Sequence, residues 1–248
     1  LKITNAISVA TSAYYTGFNN HEANLIAWYK FDDNSRLDSS GNENNLEIAT
    51  NTSFQNTYYK KGINSLKINL GTYSSSIGQG ARTILNQTID LNLVTTLSFS
   101  FWIYLHEIVL STAGVRSDTI LNFTDSSYTE HIFTIDNGTG TESQNLRLII
   151  DNPKWGSAGI ISLDNLSFKK NTIHTWYHLV INLSKELNGM TKLEIFNNGI
   201  LEVSINSLNW FFNKNIAQIN IGSYANSASY IGRRSAPCYI DDFRMYNK

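Results

Sequence analysis

Acidic pairs are the first candidates for chemistry in this chain, because sugar hydrolysis needs two carboxylates about 5 to 9.5 Å apart. The closing stretch YIDDFRMYNK contains Asp241 and Asp242, but adjacent residues of a strand point to opposite faces. In that strand Asp241 would share its face with Phe243 and Met245, on the side of the core. Glu194 stands alone in TKLEIFNNG. The sequence therefore predicts no carboxylate couple for hydrolysis.

Histidine and cysteine give no stronger catalytic signal. His174 and His178 would lie on one strand face about 13 Å apart, which is too far to share a metal ion. Cys238 is the only cysteine, so no internal disulfide can form. The chain also contains no Walker loop, no Gly-x-Ser-x-Gly elbow and no His-Glu-x-x-His motif. We therefore predict that the protein is not an enzyme, with an unusual glycoside-active enzyme as the catalytic alternative.

Sugar recognition without chemistry needs an exposed aromatic ring flanked by amides and carboxylates. Trp155 is the strongest candidate, because it lies among turn residues in DNPKWGSAG beside Asp151 and Asn152. Tyr224 and Tyr230 in GSYANSASY are the next candidates. These five residues form the predicted ligand-binding set. The alternative for Trp155 is a ring that folds back over the core.

The other four tryptophans fall into two groups. Trp210, in LNWFFNKN, is a further loop candidate for ligand binding. Trp28, Trp102 and Trp176 fall in strand-like stretches and are interpreted as core residues. In TLSFSFWIYL and HTWYHLVINLS, however, the tryptophan stands opposite the main apolar stripe. That arrangement indicates either a second small core or an outer face covered by loops.

Alternation of apolar and polar residues recurs along most of the chain, whereas helical periodicity is rare. The stretch KLEIFNNGILEVSI predicts a hairpin with Asn-Gly at its tip. A dozen short strands with turn signals between them predict an all-β fold, an antiparallel β-sandwich. The predicted strands are 25–31, 64–69, 96–105, 118–123, 131–136, 145–151, 159–163, 174–184, 191–197, 200–206, 217–222 and 238–246.

Composition narrows the classes of partner. The net charge is −1, only 16% of residues are charged, and no Lys/Arg cluster exceeds a pair. These features argue against nucleic acid as a partner, and the absence of an apolar run of about 18 residues argues against membrane insertion. The chain lacks an initiator Met and a signal-peptide layout. We expect a piece of a larger polypeptide, with a lead-in over residues 1–20 and one domain over residues 21–248.

Five stretches, in order, resemble the laminin-G-like jelly roll of the concanavalin A-like lectin/glucanase superfamily. They are LIAWYKFDDNSRLDSSG, TLSFSFWIYL, HTWYHLVINLSKELNGMTKLEIFNNG, INIGS and YIDDFRMYNK. The jelly-roll half of the clostridial neurotoxin receptor-binding region has similar Phe-x-Trp and Asn-Gly segments. The resemblance implies a jelly roll whose last strand lies beside the first. Hydrolases of this superfamily carry a Glu-x-Asp-x-x-Glu strand, and this chain lacks that signature.

The same resemblance suggests two roles for the acidic residues near the paired termini. One is a structural calcium ion, held by Asp241 together with Asp32, Asp33 and Asp38, since calcium takes six to eight oxygen ligands. The other is a carboxylate that accepts backbone N–H bonds or pairs with Arg244, because a buried carboxylate must be satisfied. The sequence favours the second role and leaves the calcium ion as the one possible cofactor.

These observations predict a non-catalytic, lectin-like recognition or adhesion module of a larger extracellular or particle-surface protein. Its partner would be a glycan or a cell-surface or assembly protein. The alternative is a structural packing module of a viral particle, fibre or surface assembly that binds no sugar. Such a module would display a broad apolar patch, for example around Trp210, covered by another chain.

Overall fold

The computed structural model of the chain describes residues 24–69, 79–106, 119–127, 130–136, 147–153, 160–162, 174–208, 214–224 and 236–248. This part contains β-strands and two short 3-10 turns, at Asp32–Asn34 and Leu91–Leu93. The strands are β1 (Leu25–Tyr29), β2 (Glu47–Ile48), β3 (Thr52–Gln55), β4 (Ser65–Ile68), β5 (Ala81–Asp90), β6 (Thr96–Leu105), β7 (Thr119–Thr124), β8 (Glu130–Asp136), β9 (Arg147–Pro153), β10 (Ile160–Ser162), β11 (Trp176–Lys185), β12 (Thr191–Asn197), β13 (Ile200–Leu208), β14 (Asn215–Ile221) and β15 (Cys238–Asn247).

The strands form two antiparallel sheets. The larger sheet has eight strands in the order β13-β12-β11-β6-β15-β4-β3, with β1 paired to β15 beyond the end of β4. The smaller sheet has seven strands in the order β10-β9-β8-β7-β14-β5-β2. This arrangement confirms the predicted all-β, antiparallel β-sandwich.

The core lies between the two sheets and follows the period-2 alternation of the strands. In β6 the side chains that belong to the core are Leu97, Phe99, Phe101, Ile103 and Leu105. The ring of Phe99 meets two rings from the smaller sheet edge-on, with centroids 5.1 Å from Phe123 and 4.8 Å from Phe133. Burial of each such side chain contributes about 1.5–3 kcal/mol, so these rings hold the two sheets face to face.

The first strand of the sandwich pairs with the last, as predicted. Ala27 lies opposite Met245 and Tyr29 opposite Phe243 in the antiparallel register. The rings of Tyr29 and Phe243 stack with centroids 5.9 Å apart, and both are completely buried. The two ends of the described sandwich therefore close on each other inside the larger sheet.

The predicted orientation of Asp241 is wrong. A β-bulge follows Asp241 in the pairing of β15 with β6, and Asp242 takes a positive φ of 48°. The extra residue shifts the alternation by one position. Phe243 and Met245 point into the core, whereas Asp241 lies directly opposite Trp102 on the outer side of the sheet. The bulge thus moves a carboxylate from the core side to the outer side.

Candidate functional site

A group of aromatic side chains covers part of the outer side of the larger sheet, where β11, β6 and β15 adjoin. Opposite residues of neighbouring strands share a face, so the register places these side chains together. Trp176 lies opposite Tyr104, His178 opposite Trp102, and Tyr239 opposite Tyr104. We call this group the aromatic face: Trp102, Tyr104, Trp176, His178 and Tyr239.

The rings of the aromatic face contact one another. Trp102 and His178 stack with centroids 4.8 Å apart. Tyr104 lies 5.5 Å from Trp176 and 5.6 Å from Tyr239, and its hydroxyl is 3.2 Å from Nδ1 of His174, the exposed residue that comes two before β11. The outer side therefore carries a connected aromatic surface.

The interpretation of the strand tryptophans as core residues is wrong. Trp28, Trp102 and Trp176 are half-buried and lie on the outer side of the larger sheet. The core positions are taken by their sequence neighbours, which point the other way. The alternative of an outer face covered by a loop is the one that the structure bears out.

The covering loop comprises residues 56–63, between β3 and β4. Tyr58 places its ring 5.1 Å from Tyr104 and 5.2 Å from Tyr239. Lys60 Nζ lies 4.7 Å from the ring centroid of Trp102. Because 42% of Tyr58 is exposed and Lys60 is exposed as well, the loop adds an accessible ring and a cation to the aromatic face.

Asp241 holds this loop in place from below. The backbone N–H groups of Lys60 and Lys61 both donate to its Oδ2, each at 2.7 Å. The side chain is completely buried. Burial raises the pKa of Asp241 to about 6, and the two backbone hydrogen bonds oppose that rise. The predicted role of a hydrogen-bonded carboxylate is confirmed.

A second carboxylate fixes the end of the loop. The N–H of Ile63 donates to Asp32 Oδ1 at 2.8 Å. Gly62 has a positive φ of 62°, and a Cβ at this position would collide with the Asp32 carboxylate. Glycine is therefore required here both by the backbone conformation and by the close approach of Asp32. The two carboxylates together set the path of the loop across the aromatic face.

The four residues of the predicted calcium site do not converge. Asp38 organises a different turn, accepting the N–H groups of Trp28 and Ser40 at 2.9 Å each. Asp33 is exposed, whereas Asp32 and Asp241 bind the loop. Across the described ranges, no three His, Cys, Asp or Glu side chains are placed to hold a metal ion. These residues do not fit a calcium ion, and the calcium site stays a prediction for titration.

A cation–aromatic group extends the face along β1 and β15. The ring of Trp28 has Lys30 Nζ at 4.1 Å and the Arg244 guanidinium at 4.5 Å from its centroid. Trp28 Nε1 donates to Asp242 Oδ1 at 2.8 Å, and Arg244 forms an ion pair with the same carboxylate at 3.0 Å. Asp242 therefore aligns both partners on the outer side.

The bulge also changes the catalytic interpretation of Asp241 and Asp242. The prediction that they point to opposite faces is wrong, because Asp242 contacts Trp28 and Arg244 on the same outer side as Asp241. Asp241 is fully buried under the loop, and Asp242 is 9% exposed and already bound to two partners. Neither carboxylate is presented to a substrate as an acid, base or nucleophile.

Two further reactive groups among the described residues, Cys238 and His178, are buried or packed between rings. Cys238 is completely buried, and burial raises the pKa of its thiol, so little thiolate forms. His178 lies between the aromatic rings, where burial lowers its pKa to about 4. At neutral pH it is an uncharged packing partner of Trp102.

Of the predicted ligand-binding set, only Tyr224 is described together with its side chain. Trp155 and Tyr230 belong to that undescribed part, as does Trp210, and of Asp151 and Asn152 only the backbone in β9 is described. Tyr224 is half-buried just beyond β14. The structure does not bring this set together or separate it, and it stays a prediction. The same holds for the lead-in over residues 1–20.

Sequence reasoning noticed the tryptophans on the polar side of two strands but did not assign them a binding role. The signal was the alternation itself. A tryptophan on the outward side of a strand is not explained by packing in the core, so another role was to be expected for it. Tyr58 and Lys60 carried no such signal, because they are loop residues that reach the aromatic face only through the tertiary fold.

Comparison with solved structures finds neurotoxin binding domains. The serotype D botulinum neurotoxin binding domain has a TM-score of 0.61 and 18% identity, covering 92% of this chain and 49% of that chain. A botulinum neurotoxin type C structure, described as dependent upon interaction with two ganglioside molecules for cell entry, has a TM-score of 0.63 and 15% identity, covering 92% and 49%. The botulinum neurotoxin DC binding domain in complex with rat synaptotagmin II has a TM-score of 0.61 and 16% identity, covering 91% and 48%.

These similarities define the class of fold. The chain shares the β-sandwich architecture of neurotoxin binding domains and spans about half the length of the solved chains it matches. It matches no protein-family model and no curated protein. In the described residues, no helix is long and apolar enough to cross a membrane.

Proposed function

We propose that this chain is a non-catalytic recognition module of a larger extracellular or surface protein, and that the aromatic face binds its ligand, a glycan. The observation that carries the proposal is the loop-covered cluster of rings on an outer sheet surface, in which Tyr104 and Tyr239 are buried while Trp102, Trp176 and Tyr58 are partly exposed. Aromatic rings with one apolar face and one polar edge are suited to sugars and to protein hot spots. A laminin-G-like relationship would fit this function and remains part of the proposal.

Charge favours an anionic glycan. Five cationic side chains lie on or beside the aromatic face, against the four carboxylates of Asp32, Asp38, Asp241 and Asp242, although the whole chain has a net charge of −1. Exposed amines next to aromatic rings attract a carboxylate or sulfate group while the rings contact the sugar. The five cationic residues are Lys30, Lys60, Lys61, Lys67 and Arg244.

The structural neighbours support this ligand class. The type C toxin is described as dependent on gangliosides, and a botulinum neurotoxin DC binding domain was solved in complex with SialylT. The complex of another DC binding domain with synaptotagmin II supports a protein ligand as the alternative. We therefore favour a sialylated glycan and keep a surface protein as the second ligand class.

A glycan array tests this function. Trp176 is half-buried and Lys60 exposed, so both can be changed without opening the core. We expect Trp176→Ala and Lys60→Ala to reduce the signal on sialylated glycans at least tenfold, the loss expected from about 1.4 kcal/mol of binding free energy. Trp176→Phe should keep most of it. The control Lys185→Ala changes an exposed lysine at the other end of β11 and should bind like the wild type.

Two results would decide against the proposal. One is a folded wild-type chain that binds no glycan on the array. The other is glycan binding that survives Trp176→Ala and Lys60→Ala unchanged. If a cell-surface protein is captured instead and the same two variants lose it, the aromatic face serves the protein ligand. If neither ligand class binds, the packing-module alternative gains support.

A further inference from the structure

A separate cleft of about 610 Å³ opens where the start of β1, the end of β5 and the end of β15 come together. Small-molecule sites commonly occupy about 300–1,000 Å³. No residue of the aromatic face or of loop 56–63 lines this cleft. Its lining is rich in amides, contributed by Asn24, Asn42, Asn44, Asn86, Gln87 and Asn247.

One wall of the cleft is fixed by side chain–backbone hydrogen bonds. Asn42 Nδ2 donates to the carbonyls of Leu25 and Ile26 at 2.6 and 3.0 Å. Asn44 Nδ2 donates to the carbonyl of Ile26 at 2.8 Å, and its Oδ1 accepts the N–H of Asn86 at 2.9 Å. These bonds tie the edge of the larger sheet to β5 of the smaller sheet, so the wall is preorganised.

Four other residues of the lining have side chains that are not used in hydrogen bonds with the rest of the described chain. Within the described ranges, the side chains of Asn24, Gln87, Thr88 and Asn247 form no hydrogen bond, although all four line the cleft. An amide supplies both donors and an acceptor, and a hydroxyl supplies both as well. Such groups match the hydroxyls of a sugar, each of which also donates and accepts.

Charge and apolar contact narrow the ligand class further. Asp90 is the only ionisable residue among those that line the cleft, so nothing there favours an anionic ligand. Leu93, also in the lining, is 83% exposed and offers an apolar contact for the C–H groups of a sugar ring. We infer that this cleft is a second binding site, for a neutral sugar unit, and that it works independently of the aromatic face.

Saturation-transfer NMR on the 248-residue chain tests this site. The probes are galactose, glucose, mannose, N-acetylglucosamine and N-acetylgalactosamine, each added alone. We expect at least one of them to bind, and we expect the double variant Gln87→Ala/Asn247→Ala to weaken its affinity at least tenfold. Both positions are outside the core cluster, and thermal unfolding checks that the variant stays folded.

Two controls separate this site from the aromatic face. Asn206→Ala removes an exposed amide on β13, and Trp176→Ala alters the aromatic face; neither should change binding of the neutral sugar. The inference is overturned if no probe binds or if the double variant binds as well as the wild type. It is also overturned if Trp176→Ala alone abolishes binding of the neutral sugar, since the sugar then occupies the aromatic face.

Discussion

The outer sides of the two sheets differ in chemistry although both follow the same alternation. The larger sheet presents half-buried rings and exposed cations. The smaller sheet presents a buried row of polar side chains, which we call the amide row: Gln218, Asn220, Asn122 and Thr134, each at most 2% exposed. Asn122 Nδ2 donates to Thr134 Oγ1 at 2.8 Å, and Gln218 Nε2 donates to Asn220 Oδ1 at 2.5 Å.

This difference separates structure from recognition. In the amide row most polar groups bond to one another, although Gln218 Oε1 has no hydrogen-bond partner among the described residues. All four side chains are buried, so they offer little to a ligand. On the aromatic face Trp102, Trp176 and His178 are partly accessible, and Lys60 and Lys61 beside them are exposed. Outward position alone therefore does not mark a binding surface, because the interacting groups must also be accessible to a ligand.

The largest expected effect comes from breaking the amide row. Asn220→Ala leaves Gln218 Nε2 without its acceptor in a buried site and removes the donor to the Asn122 carbonyl at 3.3 Å. We expect the free energy of unfolding to fall by roughly 2–4 kcal/mol, because each buried orphaned group costs about 1–3 kcal/mol. Denaturant unfolding measures it. The control Asn206→Ala, at an exposed amide, should change the free energy of unfolding by less than about 0.5 kcal/mol. Equal losses in the two variants would contradict a structural role for the amide row.

The next effect concerns the pH dependence of the aromatic face. The folded-state pKa of Asp241, about 6, lies above the ordinary value of 3.8 for an aspartate. Its contribution to stability is therefore fully present below about pH 4 and is lost as the pH rises through about 6. Two units of pKa correspond to about 2–3 kcal/mol. Asp241→Asn keeps an acceptor for the loop but cannot titrate. We therefore expect this variant to lose the part of the pH dependence of the unfolding free energy that comes from Asp241.

His178 titrates in the opposite sense. Its folded-state pKa of about 4 lies below the ordinary value of 6.5, so its contribution is present above pH 6.5 and is lost as the pH falls through about 4. Unfolding curves of wild type, Asp241→Asn and His178→Phe between pH 4 and 7 separate the two. If Asp241→Asn follows the wild-type pH profile, the buried carboxylate is not the group that titrates.

A smaller effect should come from the loop glycine. Gly62→Ala introduces a Cβ that collides with Asp32 at a positive φ, whereas Gly189, with φ +80°, has nothing within 4 Å of the position of a Cβ. Both variants bear the backbone strain of about 1–2 kcal/mol that an L-residue meets at positive φ, and only Gly62→Ala adds the collision. We expect it to lose about 1–2 kcal/mol more than Gly189→Ala. Equal losses would mean that Asp32 does not fix the loop.

The smallest expected effect is that of calcium. Asp32, Asp38 and Asp241 each accept backbone N–H groups in different parts of the structure, although Asp241 Oδ1 has no hydrogen-bond partner in the described part of the chain. We expect the melting temperature to be the same in calcium and in a chelator. A rise of several degrees with calcium would restore the predicted metal site and make the loop a metal-dependent element.

Sequence reasoning worked where structure is local. The Asn-Gly hairpin is confirmed, because Asn198 and Gly199 both take the positive φ values, 50° and 82°, that a tight hairpin needs. The core stripe of β6 is also correct. By contrast β5 was not predicted, since its outward Asn86, Gln87 and Thr88 are consecutive exposed residues that interrupt the alternation.

The candidate site was less accessible to sequence reasoning. The bulge at Asp242 depends on one backbone conformation and reverses the facing of Asp241, which no periodicity reveals. Loop 56–63 reaches the aromatic face through contacts with residues about 180 positions away along the chain, such as Asp241. Such long-range contacts are set by the topology of the sandwich rather than by a local pattern.

Hydrogen exchange with and without a sialylated glycan tests the central claim most directly. With saturating 3′-sialyllactose, we expect slower exchange in loop 56–63 and at the start of β11, and no change in β7 and β14 of the amide row. The same protection should be absent in Trp176→Ala. Protection confined to the smaller sheet, or unchanged exchange throughout the loop while the sugar is bound, would contradict binding at the aromatic face.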